Sequence, residues 1–409
     1  MDTTHEVTAL PLRVGIVGFG WMGQVHARAY LRLRQHYLDL PFVPKLVAVA
    51  DNAPDDRLAR AAEAYGFTDV HADWHDLVER DDIDVISVTG PNFIHRDVGV
   101  AVAQAGKHLW IEKPAGRDAG ETAEIAAAVE AAGIRSAAGF NYRNAPAVQH
   151  ARTMIADGLL GAVEQVEISF LADYSAHPGG ALSWRFERAR AGSGVLGDLV
   201  SHGVDLGRHL IGEIVDVVAD DAKFIPERAR AMGTSTGHQH SDTDGPLQPV
   251  ENEDYAAALL RFAGGARGSL VSSRVAVGEQ CSYTITVHGS RGALRWDFRR
   301  MGELQVCLGS WDRGEHGNVY TNADWLTHFV APGDGELAVF QPGSGIAMSY
   351  DDLKVIEAHN LVRSIASGAP AGATIHDALA AARVVDAMAE SAASRAWVRP
   401  SDVGHRFTP

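Results

Sequence analysis

The sequence predicts a doubly wound, parallel α/β domain over residues 1–145, followed by an α+β domain with a large, open, mostly antiparallel sheet over residues 146–409. Three observations carry this prediction. Continuous apolar strands alternate with alanine-rich helical stretches from residue 13 to about 140, as in a parallel sheet covered on both faces. A G-x-G-x-x-G run follows the first strand directly. Beyond about residue 145 the strands alternate apolar with polar residues, as in a sheet packed on one side.

In the first part, Leu12–Val17, Lys45–Ala50, Val85–Thr89 and His108–Ile111 read as strands, with Arg57–Tyr65, Arg96–Gln104 and Gly120–Ala132 as helices between them. Right-handed crossovers then give the doubly wound order. In the second part a helix over Ala147–Asp157 leads into strands at Val163–Phe170, Val215–Phe224, Tyr255–Phe262, Gly268–Val275, Tyr283–His288 and Ala293–Asp297. Two helices, about 351–367 and 375–391, close the chain and are expected to pack back on the first domain. Arg230–Glu253 and Gly309–Ser349 read as insertions. The first is polar and aperiodic; the second carries Trp311, Tyr320, Trp325 and Phe329, suited to a lid or a subunit contact.

With 409 residues, 46% of them hydrophobic, the chain can bury more than one core. Its net charge of −16 argues against nucleic-acid or anionic-membrane partners. No apolar run approaches the ~20 residues of a membrane span, and Met1–Glu6 is acidic without a signal core. Cys281 and Cys307 lie in strand-like runs and read as small buried hydrophobes rather than a disulfide. A cytoplasmic location is expected.

Gly18-Phe19-Gly20-Trp21-Met22-Gly23 follows a strand and opens a helix through Leu33. In that setting the first glycine makes the turn, the second admits a pyrophosphate and the third lets helix and strand approach, which marks a Rossmann dinucleotide site. Asp51 ends the second strand, 33 residues after Gly18. The stretch Arg34–Pro44, an apparent insertion, accounts for the excess over the usual ~20. An acid there binds the adenosine ribose and favours NAD over NADP, the alternative being a turn cap.

The fourth strand ends in Glu112-Lys113-Pro114, placing a lysine at the mouth of the dinucleotide site. Further on, Gly192-Ser193-Gly194 introduces a helix from Val195 to Leu210, with Asp198 and His202 four residues apart on one face. Oxidising a secondary alcohol requires removal of its O–H proton, for which histidine is suited. A carboxylate such as Asp198 can orient that ring, and Lys113 supplies charge where alkoxide character develops. Asp205 and His209 continue the stripe and are read as structural or exposed.

These motifs, with Pro91-Asn92-x-x-His95, Tyr142-Arg143 and Gly289-Ser290-Arg291-Gly292, occur in an order that resembles the glucose–fructose oxidoreductase / inositol dehydrogenase (Gfo/Idh/MocA) family. The resemblance implies His202 as acid/base, Lys113 and Asp198 holding the reacting hydroxyl, and a cis Lys113–Pro114 bond. It implies that Asn92 and His95 line the nicotinamide side, where loop capping is the alternative, and it places Glu112 and Lys113 beside the cofactor. Tyr142, Arg143, Trp184 and Arg185 are candidates for the substrate wall: tryptophan offers a flat apolar face and arginine several donors. Core packing is an equal contender for Trp184. His238-x-His240 lacks a third placed ligand, so no metal is expected.

The expected activity is NAD-dependent oxidation of a secondary ring hydroxyl of a neutral sugar, glycoside, anhydrosugar or inositol to the ketone. Inositol and pyranose (including levoglucosan-type) dehydrogenases are the nearest general likeness. Tightly held NAD recycled during sugar elimination or sugar–sugar exchange is the alternative. The Lys113, Asp198 and His202 set argues against a non-catalytic dinucleotide-sensing regulator. The open sheet is expected to pair in a homodimer or homotetramer.

Overall fold

The computed structural model describes residues 10–52, 55–231, 243–309 and 323–402; His238, His240, Trp311 and Tyr320 lie outside them. The first sheet is built by β1 (Leu10–Val17), α1 (Trp21–His36), β2 (Phe42–Ala50), α2 (Asp56–Tyr65), β3 (Asp69–His71), α3 (His75–Val78), β4 (Val85–Val88), α4 (Asn92–Gln104), β5 (His108–Ile111), α5 (Ala119–Ala132) and β6 (Ser136–Ala138). Its six strands run parallel in the order β3-β2-β1-β4-β5-β6. The order reverses between β1 and β4, which opens a crevice at the carboxyl ends of the strands. Val14, Ile16, Val85, Ile86 and Val88 are fully buried, because helices cover both faces of these strands.

The chain continues through α6 (Pro146–Ala156), β7 (Val163–Leu171), α7 (Arg188–Ala191), α8 (Ser201–Ile211), β8 (Ile214–Ala222), β9 (Glu227–Ala231), β10 (Thr243–Pro249), β11 (Tyr255–Phe262), β12 (Arg267–Ser273), β13 (Ser282–Gly289), β14 (Gly292–Asp297), β15 (Glu303–Leu308), β16 (Leu326–Phe329), α9 (Leu337–Phe340), α10 (Tyr350–Ser367) and α11 (Ile375–Ser394). Eight strands form the second sheet, in the order β16-β15-β14-β13-β7-β12-β11-β8, antiparallel except for the β7–β12 pair. Along β7, Val166, Ile168 and Phe170 are buried while Glu164, Gln165 and Glu167 are exposed, so one face meets helices and the other does not. Arg230–Glu253 reads as a polar, aperiodic insertion; in the structure β10 lies within it and pairs antiparallel with β9, which runs into its start.

α10 lies against α1, where Arg28 meets Asp351 and Arg32 meets Asp352, both at 2.5 Å. Tyr37 adds a hydrogen bond to Glu336 at 2.8 Å. The last third of the chain therefore completes the helical layer over the first sheet. α11 packs on α5, β8 and α8. Among the described residues no helix is long and apolar enough to cross a membrane.

One expectation fails at Cys281. It is exposed and sits just before β13 with φ of 47°, a left-handed turn position rather than a strand interior. The apolar residues of β13 begin only after it, so the run that suggested burial belongs to its neighbours. Cys307 is half-buried in β15, and both cysteines are free.

Candidate active site

The fingerprint glycines earn their place by three different contacts. Gly18 has φ of 86°, and a Cβ there would lie 2.6 Å from the Gly90 backbone. A Cβ on Gly23 would lie 2.2 Å from the Gly18 carbonyl oxygen. At Gly20 a Cβ would meet nothing within 4 Å, and no side chain caps the N-terminus of α1. Open space in front of free N–H groups is what a pyrophosphate requires. Asp51 Oδ2 accepts from the Phe19 N–H at 2.8 Å, so its carboxylate stands at the end of β2 against this loop. Phe19 turns its ring into the core against Tyr65 and Phe67, and only its backbone faces the loop. Trp21 is half exposed and stacks on Tyr350, whose hydroxyl lies 3.9 Å from Met22 Sδ. The residues present fit a dinucleotide.

Lys113 follows β5 at the same crevice, and the Lys113–Pro114 bond is cis. Its ammonium donates to Asp198 Oδ1 at 2.7 Å and to the Asp198 carbonyl at 2.9 Å. Asp198 lies in a π-helical turn, Leu196–Val200, immediately before α8; such widened turns recur at functional sites. Its other oxygen accepts from the Tyr174 hydroxyl at 2.5 Å. Burial and the Asp198 charge raise the Tyr174 pKa well above 10, so it stays a donor. Tyr174 carries no motif in sequence and follows β7 in an irregular segment; its role becomes visible only in three dimensions.

His202 is 6% exposed and packs edge-to-face against Tyr142 at 4.8 Å and Phe140 at 5.9 Å. Among the described residues, none hydrogen-bonds its ring. Asp198 was expected to orient this imidazole; instead its carboxylate is engaged by Lys113 and Tyr174, and aromatic packing holds the ring. Burial, then the Lys113 charge, lower the His202 pKa well below 6.5, leaving it neutral and able to accept a proton. A neutral imidazole beside a fixed ammonium can take a hydroxyl proton while positive charge steadies the oxygen.

The remaining candidates divide between the cleft and its supports. Asn92 donates to the Ala191 carbonyl at 2.9 Å, tying the start of α4 to the second domain. The buried His95 ring sits between the Gly90 and Pro114 carbonyls, at 2.9 and 2.8 Å, and so joins the turn after β4 to the segment after β5. Arg185 stacks on Trp184 at 4.5 Å, and the Trp184 ring meets Phe93 at 6.2 Å. Their backbone is held by Asn252, which donates to the Arg185 carbonyl at 2.7 Å and accepts from Arg274 at 2.9 Å. Arg274 in turn is paired with the fully buried Asp254 at 2.9 Å. Arg185 makes no ion pair or hydrogen bond through its guanidinium to a described residue.

Two expected site residues point elsewhere. Arg143 was a candidate donor to substrate hydroxyls, but its guanidinium grips buried Asp205 through two nitrogens and reaches Asp377 at 3.0 Å. It lines a separate cavity of about 670 Å³ with Arg208, His209 and Asp377. Glu112 directs its carboxylate away from Asp198, to Lys354 and to His26. A third cluster, His150 and His328 on Asp334 at 2.7 and 2.9 Å, has its imidazoles stacked at 4.4 Å and 11°. An ion lies near the plane of each ring that ligates it, and stacked rings share no such point.

Two family models match the chain. Residues 12–140 match the oxidoreductase family with an NAD-binding Rossmann fold, and residues 148–295 match the GFO/IDH/MocA C-terminal domain. The chain is 35% identical to levoglucosan dehydrogenase of Pseudarthrobacter phenanthrenivorans over 95% of its length and 97% of that protein. The chain belongs to the Gfo/Idh/MocA family. Inositol 2-dehydrogenase of Rhizobium meliloti is 27% identical over 94% of this chain and 98% of its own. Among solved structures, levoglucosan dehydrogenase with NADH and L-sorbose superposes with a TM-score of 0.88 at 32% identity, covering 96% of this chain and 100% of that one. The complex with NADH and levoglucosan gives 0.86 at 33% identity, covering 95% and 99%. The chain is thus an oxidoreductase whose first domain binds NAD.

The commitment of Arg143 to Asp205 has a measurable consequence. Arg143→Met leaves a carboxylate buried without its partner, which costs about 3–5 kcal/mol. Denaturant unfolding is expected to record that loss, while the KM of the folded enzyme stays within about threefold of the parent. A large rise in KM at unchanged stability would restore the substrate role.

Proposed function

We propose that this chain oxidises a secondary ring hydroxyl of a neutral sugar, glycoside, anhydrosugar or inositol to the ketone, with NAD as acceptor. The observation that carries the reading is the Lys113 ammonium held on Asp198 at the crevice that also holds a neutral His202. The likeness to levoglucosan dehydrogenase along almost the whole chain favours a pyranose or anhydrosugar within this class.

When bound, NAD+ supplies the hydride acceptor. Lys113 donates to the reacting hydroxyl oxygen and stabilises the developing alkoxide. A ring nitrogen of His202 takes the hydroxyl proton, for which a neutral starting state is required. Tyr174 and Asp198 keep the ammonium in place, a preorganisation that removes the need for the charge to be recruited during reaction. The Trp184 face and the Arg185 guanidinium supply an apolar wall and hydrogen-bond donors for the rest of a sugar ring. A screen of NAD reduction over sugars, glycosides, anhydrosugars and inositols, with NADP in parallel, tests the reading. Absence of NADH accumulation with every alcohol would overturn it.

The open face of the second sheet, where Leu259 is 55% exposed, is assigned to pairing with further copies in a homodimer or homotetramer. Light scattering is expected to give a multiple of 43.7 kDa; the monomer mass would refute this.

For the catalytic residues, Lys113→Met is expected to lower kcat at least about tenfold. His202→Ala should retain NADH binding, read by fluorescence, and lose about 10²–10⁴-fold in turnover. Parent-like kcat in either variant would remove that residue from the mechanism.

The pH dependence follows from the lowered His202 pKa. The imidazole remains neutral below 6.5, so the acid limb of kcat/KM for oxidation is expected below that pH. The unfolded chain binds this proton more readily, so burial of the neutral ring contributes stability above pH 6.5 that is lost as pH falls. A limb at or above 6.5 in the pH–rate profile would contradict the assignment of His202 as the base.

A further inference from the structure

Behind Lys113 lies a buried charged cluster that the chemistry above leaves unused. Lys354, on α10 and without solvent exposure, donates to Glu112 Oε1 and to Glu357 Oε1, the latter at 3.0 Å. Glu112 is also bonded to His26 Nε2 at 3.0 Å and accepts from the backbone N–H of Lys113 at 3.3 Å. The indole N–H of buried Trp110 donates to Glu357 Oε1 at 2.6 Å, and the Trp110 ring stacks on His26 at 3.6 Å. A Cβ on Gly139 would fall 2.5 Å from the Glu112 carboxylate, so the backbone just after β6 also confines it.

The charges in this cluster do not balance unless a proton is held there. Burial keeps His26 neutral, with a pKa lowered to about 4, so one lysine faces two carboxylates. Glu357 Oε2 is buried and has no hydrogen-bond partner among the described residues, and an unpaired buried charge costs far more than a neutral carboxyl. Burial and the Glu112 charge both push the Glu357 pKa up, while Lys354 and His26 hold Glu112 ionised against its own burial. Buried ion pairs of this kind are seldom the best route to stability. This one has a geometric use, because Glu112 and Lys113 are adjacent in the chain.

We propose that Lys354 is a positioning residue for hydride transfer: by pinning the Glu112 carboxylate it fixes the backbone of Lys113, and with it the ammonium that faces Asp198. The inference rests on the reading above, in which Lys113 holds the reacting hydroxyl. A displacement of about 1 Å at a reacting centre can lower turnover about a hundredfold.

The test compares the parent with Lys354→Met and with the double variant Glu112→Gln/Lys354→Met. The double variant removes the charge left unpaired by the single one, so a folded protein with a near-parent melting temperature is expected. Three quantities are read: kcat with NAD and the alcohol the parent oxidises best, the NADH dissociation constant, and the rate at which trace reductive methylation labels Lys113. Exposed Lys45 is the internal control for labelling. In the folded double variant kcat is expected to fall about tenfold or more, with NADH affinity held within about threefold. Lys113 labelling is expected to rise about threefold or more as its pairing loosens, with Lys45 unchanged. A parent value for kcat or for labelling overturns the proposal. Should the parent oxidise no alcohol, the functional reading fails, and the labelling rate alone decides whether Lys354 positions Lys113.

Discussion

The ion pair between Lys113 and Asp198 is the interaction on which the rest of this site depends. It joins the end of β5 in the parallel sheet to the π-helical turn before α8, which packs on the other sheet. Tyr174 takes the second carboxylate oxygen, so both oxygens of Asp198 are engaged. The imidazole of His202 must then be placed by other means, and Tyr142 and Phe140 do so with ring edges and faces. The His202 pKa is therefore set mainly by desolvation and the nearby ammonium, with the Asp198 charge opposing them. In the proposed reaction these two groups supply one fixed charge and one movable proton.

A similar logic recurs around the cleft. Arg143 with Asp205, Arg274 with Asp254, and Lys354 with Glu112 are all buried pairs, and each borders a segment that carries a cleft residue. Such pairs contribute little net stability, since desolvation offsets most of their attraction. What they supply is direction: a guanidinium fork accepts few geometries and a buried ammonium fixes the acceptors around it, whereas an apolar contact tolerates many. Trp184 and Arg185 inherit their placement from Arg274 through Asn252 in this way.

The parts of this protein that were legible in sequence are those set by local rules. Glycines 18 and 23 announce their turn because a side chain at either would collide with backbone, and the alternation along β7 or β11 reports which face is buried. Lys113 was conspicuous because its position behind a strand is local as well. What escaped was set by distant contacts. Tyr174 stands 24 residues from Asp198, and Lys354 stands 242 from Glu112; neither spacing leaves a pattern. The partners of Arg143, Asp205 and Asp377, were not legible, because residue type says that a guanidinium will find an anion, not which one. The pairing of Asp198 with His202 followed from a regular helical period, and Lys113 and Tyr174 had already claimed the carboxylate.

The seat of α10 on α1 has a bearing on how the molecule is made. Arg28 and Asp351 are 323 positions apart, so the outer layer of the first sheet is assembled from opposite ends of the polypeptide. During vectorial synthesis β1 and α1 emerge early and must wait, with the apolar flank of α1 uncovered, until α10 has been translated. Contacts of such long sequence separation form slowly, because loop closure precedes any reward. The layer over the dinucleotide crevice, although its motifs lie almost wholly in the first quarter of the chain, is thereby complete only once α10 (Tyr350–Ser367) is present, and apolar surface left open until then is of the kind that favours aggregation.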